Sequence, residues 1–373
     1  MRLPPLRTWR FLFPLALSGL WLAPTRAQEV VTIPDEVSCP ECRIDVERMF
    51  DLGGPGDTLN IVHANFLPMD SRGRVYYQSV YVPGLIQAFD REGKHIHTFG
   101  REGEGPGEFR GWAALFISPG DSLFTFDSSL YRLSVFSPDF EFVRSARIDP
   151  PFRLRGGFFR EDGSLLTTAI DRRATDFGRP FHIVDRDGRV RRSFGEERGV
   201  ITGNVERDLA RSVGPSADGG FWATHVYEQY TIEHWGPGGE LVEIFERHPD
   251  WAPKPDDPAG GPRDATGPPP SSIVANIQVD DEGLLWMLVW VPDEGWKEAF
   301  ETSEDRPARH DYRDTIIEVL DPARGRVVAR HRIDDLAIGF SAPGVMYTWD
   351  DRGVWDRLKI WRLSLHTNKQ NGE

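Results

Sequence analysis

Residues 99–109 read FGREGEGPGEF, a glycine-rich run bracketed by two phenylalanines. A phosphate-cradling loop of the Walker type ends in Gly-Lys-Ser/Thr, and a dinucleotide loop opens a helix. Here Glu102, Glu104 and Glu108 stand where phosphate oxygens would sit, and a strand-like apolar segment follows. The run is therefore read as a joint. Its glycines let the backbone pass tightly from the last strand of one unit to the first strand of the next.

The units on either side of that joint recur. Each has a short apolar strand, an acidic or glycine turn, a second strand, a loop, a third strand, a second turn and a fourth strand. The copies begin NFLPMDSRGRVYYQ (65–78), WAALFISPGDSLFTFD (112–127), RGGFFREDGSLLTTAI (155–170), ARSVGPSADGGFWATHV (210–226), IVANIQVDDEGLLWMLVW (273–290) and IGFSAPGVMYTWDD (338–351). Gly73, Gly120, Gly163, Gly219, Gly283 and Gly344 occupy the first turn, where a tight hairpin asks for positive φ. Alternation of apolar and polar residues in VYYQ, IEHW and LKIW fits strands of period two. Four short strands repeating every ~45–60 residues are the mark of propeller blades. The expected fold is all-β, a six-bladed β-propeller of four-stranded antiparallel blades. The sixth copy supplies only three strands, ending in RLKIWRLSL (357–365), so VERMFDL (46–52) is expected to close the ring as its outer strand.

These residues resemble the NHL-type repeat of six-bladed β-propellers, in its exported bacterial form. FGREGEGPGEF, a strand, a glycine turn and LFTFDSSLYRLSVF follow that pattern, with Glu108 in place of the usual glutamine. Asp127 and Asp350 match the repeat's aspartate, whereas the fourth copy carries His225. The resemblance implies the propeller fold. Its members range from peptide or protein binders to lyases and lactonases, so fold carries over and activity does not.

Residues 1–27 read as a secretory signal: Arg2, Arg7 and Arg10 precede the short apolar run FLFPLALSGLWLA (11–23), and a small residue, Ala27, stands at the cut. The mature chain is then secreted or periplasmic, with no membrane span after cleavage. Residues 28–45 form an N-terminal segment, 46–365 the propeller and 366–373 a polar, disordered tail. Without the leader the formal charge is −18, which repels nucleic acid and anionic membranes. Cys39 and Cys42 lie in SCPECRID (38–45). A c-type haem needs His where Arg43 stands, a redox site wants a βαβ setting, and zinc needs two further ligands. A local disulfide is the expectation in an exported chain.

Counting back from the turn glycines places Asn65, Trp112, Arg155, Arg211 and Ala275 or Asn276 at one mouth of the central channel, with Leu336 at the sixth blade. Two arginines and an indole there suit a small anionic or carbohydrate ligand, and a protein or peptide is the other partner class. The competing reading has Arg155 and Arg211 pairing with Asp127 and Asp171 to hold blades together. No Gly-x-Ser-x-Gly elbow or His-Glu-x-x-His helix occurs, so no catalytic residue is assigned. No cofactor is evident. Calcium or zinc would serve an enzymatic alternative, a metal-dependent hydrolase or lyase, with His63, His225 and Asp350 as candidate ligands. Two insertions stand out. Residues 252–272 are a Pro/Gly-rich loop. Residues 291–314 carry Trp296, Phe300 and Tyr312 as anchors, and a short helix is expected around GWKEAFE.

Overall fold

The computed structural model describes residues 29–367 except 56–58, 60, 63, 80, 83, 150–152, 171–178, 196–209, 228–229, 253–263, 304–305 and 351–354. The leader, Asp171, His63 and residues 368–373 of the tail lie outside the described residues. Strands dominate, with one short α-helix and two 3-10 turns among the described residues. Blades 2, 3 and 5 are four-stranded antiparallel sheets built from consecutive strands, and in blade 4 the same four strands carry a fifth at the outer edge.

Six blades can close a ring only if six interfaces are filled, and the buried apolar residues form six clusters. Tyr76, Ile86 and Phe99 of blade 1 meet Phe109, Leu115 and Phe136 of blade 2. Phe124 and Leu133 of blade 2 meet Leu154 and Leu165 of blade 3. Phe181 of blade 3 packs edge-on against Phe221 and Trp235 of blade 4 at 5.0 and 5.1 Å. The remaining interfaces join blades 4 and 5, 5 and 6, and 6 and 1. The middle strands of the blades bury both faces, which explains near-continuous apolar runs such as LLWMLVW (284–290), whereas outer strands such as Phe142–Arg147 stay largely exposed.

Closure falls to the N-terminus, as the count of strands demands. Strand Arg43–Gly53 pairs antiparallel with Arg357–His366 and becomes the outer strand of blade 6. Its Phe50 and Leu52 enter the core shared with blade 1. On the channel side the inner segment of blade 1 is irregular. Met69 makes one bridge to Val75, while its N–H donates to the carbonyl of Ser341 in blade 6. Pro68 has no N–H to give, so a regular ladder is broken there.

The N-terminal segment reaches further than the sequence suggests. Glu29–Thr32 adds a parallel strand to the outer edge of blade 4, and Val37 bridges Val327 of blade 5. Cys39 and Cys42 are disulfide-bonded, in a turn packed on the core between blades 5 and 6. One segment thus belts three blades. Asp35 of this belt lies 2.7 Å from Arg247 and 2.6 Å from Arg330. Glu318, fully buried, pairs with both arginines and accepts from the Tyr230 hydroxyl at 2.5 Å. Burial and the Glu318 charge push the Tyr230 phenol well above its ordinary range, so it stays a donor.

The first-turn glycines behave as expected at five positions, with φ between 68° and 82° at Gly73, Gly163, Gly219, Gly283 and Gly344. Gly120 is a correction. In SPGDS (118–122) the positive φ falls on Asp121, at 59°. The hairpin closes from Ser118 to Ser122 as Asp70–Arg74 and Arg160–Ser164 do, and its left-handed fourth position is Asp121, with Gly120 one residue before it. Asp121 stays there because its carboxylate accepts from the N–H and hydroxyl of Ser71 in blade 1.

Candidate functional site on the upper face

Inner strands begin on one face of the ring, here called upper, and the loops joining second to third strands open on the same face. The lower face is built from tight turns that satisfy themselves. Asp70 accepts from the N–H groups of Arg72 and Arg74, and Asp280 from those of Glu282 and Leu284. Such carboxylates are spent on their own backbone. A shallow surface dimple between blades 3 and 4, lined by Phe158, Gly219 and Pro237, is bridged by Arg160 donating to the Pro237 carbonyl.

The FGREGEGPGEF run (99–109) is a joint. Gly100 and Gly107 take φ of 81° and 72°, and Phe109 is buried between blades 1 and 2. Glu108 accepts from the Gly105 N–H and pairs with Arg101, interactions that hold its carboxyl below the usual range. Arg132 donates to the carbonyls of Glu104 and Glu108, both at 2.6 Å. The Gly105 N–H, a donor that a phosphate cradle would use, is taken by the loop's own Glu108.

Asp127, the residue matched to the repeat, is buried and accepts from four backbone N–H groups: Arg110, Gly111, Ser129 and Leu130. It fastens the joint to the loop below it. Those four bonds use both carboxylate oxygens.

The expected mouth residues separate in character. Asn65 is exposed, and its carbonyl accepts from the Tyr347 hydroxyl at 2.9 Å. Trp112 is half-buried with its ring 5.5 Å from Phe66. Arg155 stands at a register shift between Leu154 and Gly156, a bulge that re-aims the inner strand; its side chain lies outside the described residues. A matching bulge at Ala275 brings Asn276 into register with Leu288. The Asn276 amide lies so close under Gly339 that a Cβ there would come within 2.9 Å of it.

Arg211 is buried and sits across the strand pair from His225. Burial and the Arg211 charge lower the His225 pKa to about 3, so its ring is neutral at physiological pH. The consequence for stability has a definite sign. Above the ordinary histidine value of 6.5 both folded and unfolded chains carry a neutral ring, and the group contributes nothing. As pH falls from 6.5 toward 3 the unfolded chain alone takes up the proton, and stability drops by at most about 1.4 kcal/mol per pH unit. His225→Gln is expected to flatten the acid decline of Tm below pH 6.5 relative to the parent; parallel curves would contradict the shift.

Asp350 is held 2.7 Å from the Lys359 ammonium, which also lies 3.0 Å from Asp335. Among the described residues no three His, Cys, Asp or Glu side chains gather as a metal would need. No described helix is long and apolar enough to cross a membrane.

Sequence reading singled out the insertion after blade 5's second strand, and its anchors pack as expected. The helix runs Trp296–Thr302, Phe300 lies 5.1 Å from Tyr312, and Trp296 and Tyr312 are buried. It missed the exposed apolar groups of the upper loops. Tyr81 is 78% exposed beside Val82 in blade 1, and Trp355 is 50% exposed in blade 6. These lie in short loops without periodicity, where an aromatic residue gives no signal of its side.

No family model matches the chain, so the NHL-type resemblance rests on the residues quoted for it. No curated protein matches it either. Among solved structures, a member of the DUF4221 family from Bacteroides vulgatus aligns at a TM-score of 0.59 and 11% identity, covering 87% of this chain and 99% of its own. A protein from Bacteroides fragilis aligns at 0.53 and 12%, covering 90% and 99%. A virginiamycin B lyase from Staphylococcus aureus aligns at 0.45 and 13%, covering 87% and 100%, too distant a likeness to carry any argument about activity. At these identities the similarity establishes the six-bladed propeller fold alone.

Proposed function

We propose that this protein is an exported recognition module that takes its partner on the upper face, at the mouth bordered by Asn65, Trp112, Arg155, Arg211 and Asn276. The observation that carries the reading is the difference between the two faces. Tight turns saturated by their own aspartates floor the lower face, while the upper face carries exposed Tyr81 and Trp355 and the inserted loops. Rigid scaffolds commonly place recognition on such loops. Export is supported by the leader-like N-terminus and by the Cys39–Cys42 disulfide, a bond suited to an oxidising compartment.

The test is a ligand screen of small anions, oligosaccharides and peptides against the mature chain and two variants, Trp112→Ala and Tyr81→Ala. Ligands that bind the parent and fail on either variant, at unchanged Tm, are the expected result. Binding untouched by both changes would move the site off the upper face. Stoichiometric calcium or zinc in protein purified without an affinity tag would favour the metal-dependent hydrolase or lyase instead.

A further inference from the structure

Several buried cations in this protein are matched by carboxylates. Arg74 lies 2.6 Å from Asp70, Arg247 pairs with Glu318 and Asp35, and Lys359 sits between Asp335 and Asp350. Arg313 differs. It opens the third strand of blade 5 on the upper face and is 4% exposed, yet no carboxylate pairs with it among the described residues. Its Nη1 donates to the Ser271 carbonyl at 2.6 Å, and its guanidinium carbon lies 5.7 Å from the centre of the Tyr312 ring. The phenol of Tyr227 is near enough to act on its charge.

The flanking acids are committed elsewhere. Asp311 accepts from the Ala308 N–H and faces His310, and Asp314 lies 2.6 Å from Arg332. The neighbouring charged group that does bear on Arg313 is another cation, Arg309. Arg309 is exposed, stands 5.9 Å over the Trp290 ring, and has no ion pair among the described residues. Two arginines kept apart from acid, in a chain with 58 acidic residues, concentrate positive potential at one spot. A buried guanidinium that has a carbonyl and the Tyr312 phenol as acceptors but no carboxylate is costly unless an anion completes it. Its planar fork matches the two oxygens of a carboxylate or phosphate.

The geometry points to an oxyanion-binding site on the upper face of blade 5. Arg313 receives a carboxylate or phosphate group of the ligand, Tyr312 and Tyr227 flank it, and Arg309 faces it from solvent. This rests on the upper-face reading and adds the chemistry of the ligand.

The test titrates the full mature chain with inorganic phosphate and, separately, with acetate, each up to about 50 mM, at ionic strength held constant with chloride so that screening does not change. The expected result is a saturable rise in Tm with at least one anion; the anion that acts identifies phosphate or carboxylate as the source. Arg309→Ala, at an exposed position, is expected to weaken that anion about tenfold without changing the anion-free Tm. Arg313→Gln is expected to abolish the response and to leave the anion-free Tm equal or higher, because it removes an uncompensated charge. No response to either anion overturns the site, as does an equal response in the parent and both variants, or an Arg313→Gln protein that loses stability without anion. The upper-face reading would survive each of these, since it falls only if Trp112→Ala and Tyr81→Ala leave ligand binding intact.

Discussion

Deletion of residues 29–53 is expected to abolish cooperative folding, not merely to lower Tm by a few degrees. Four side chains of this segment enter the core: Ile33, Ile44, Phe50 and Leu52, each less than a tenth exposed. Burial of each contributes about 1.5–3 kcal/mol, so their loss removes roughly 6–12 kcal/mol. That is comparable with the whole stability of a domain, about 5–15 kcal/mol. The deletion also strips Arg357–His366 of its partner and leaves an open edge, which invites pairing between chains. Circular dichroism and size-exclusion chromatography read the outcome. A monomeric truncated chain with a sharp thermal transition near that of the parent would remove the belt from the account.

Glu318→Gln is the second change with a large expected effect. Arg247 and Glu318 are both fully buried, and Arg330 reaches the other Glu318 oxygen at 2.8 Å. Neutralising Glu318 leaves Arg247 with Asp35 alone, a carboxylate that is half exposed. Breaking one partner of a buried pair costs about 3–5 kcal/mol, because the desolvated charge that remains is uncompensated. Asp35→Asn is expected to cost less, since solvent already screens that group. Denaturant unfolding of the two variants gives the order directly. An Asp35→Asn loss equal to or greater than that of Glu318→Gln would mean that the belt contact, and not the buried pair, carries the stability.

Much of the architecture was legible because blades repeat a local physical pattern. Tight turns need a positive φ, and glycine marks it in five of the six first turns; Asp121 escaped because its side chain stabilises the same conformation through Ser71. The closing strand was legible by elimination, as sixfold closure left RLKIWRLSL without a neighbour. Strand Glu29–Thr32 was not: four residues added in parallel to a distant edge leave no periodic trace. The Glu318 cluster was equally hidden, since Asp35, Arg247 and Arg330 are brought together only by the ring. The candidate site divides in the same way. Positions at the start of inner strands follow from counting, with errors where bulges at Arg155 and Ala275 shift the register. Arg313 could be placed beside an insertion, but its lack of a carboxylate partner is a property of the folded surroundings.

Ring closure is the claim on which both faces, and therefore the site, depend. Glu47 and Arg362 are opposite one another in the closing pair, both exposed. A Glu47→Cys/Arg362→Cys protein is predicted to form the new disulfide on folding, with Cys39–Cys42 retained, as peptide mapping under non-reducing conditions would show. Free thiols at both positions in folded protein, or preferential crosslinking of a Glu47→Cys/Ser364→Cys pair, would contradict the closing strand and its register.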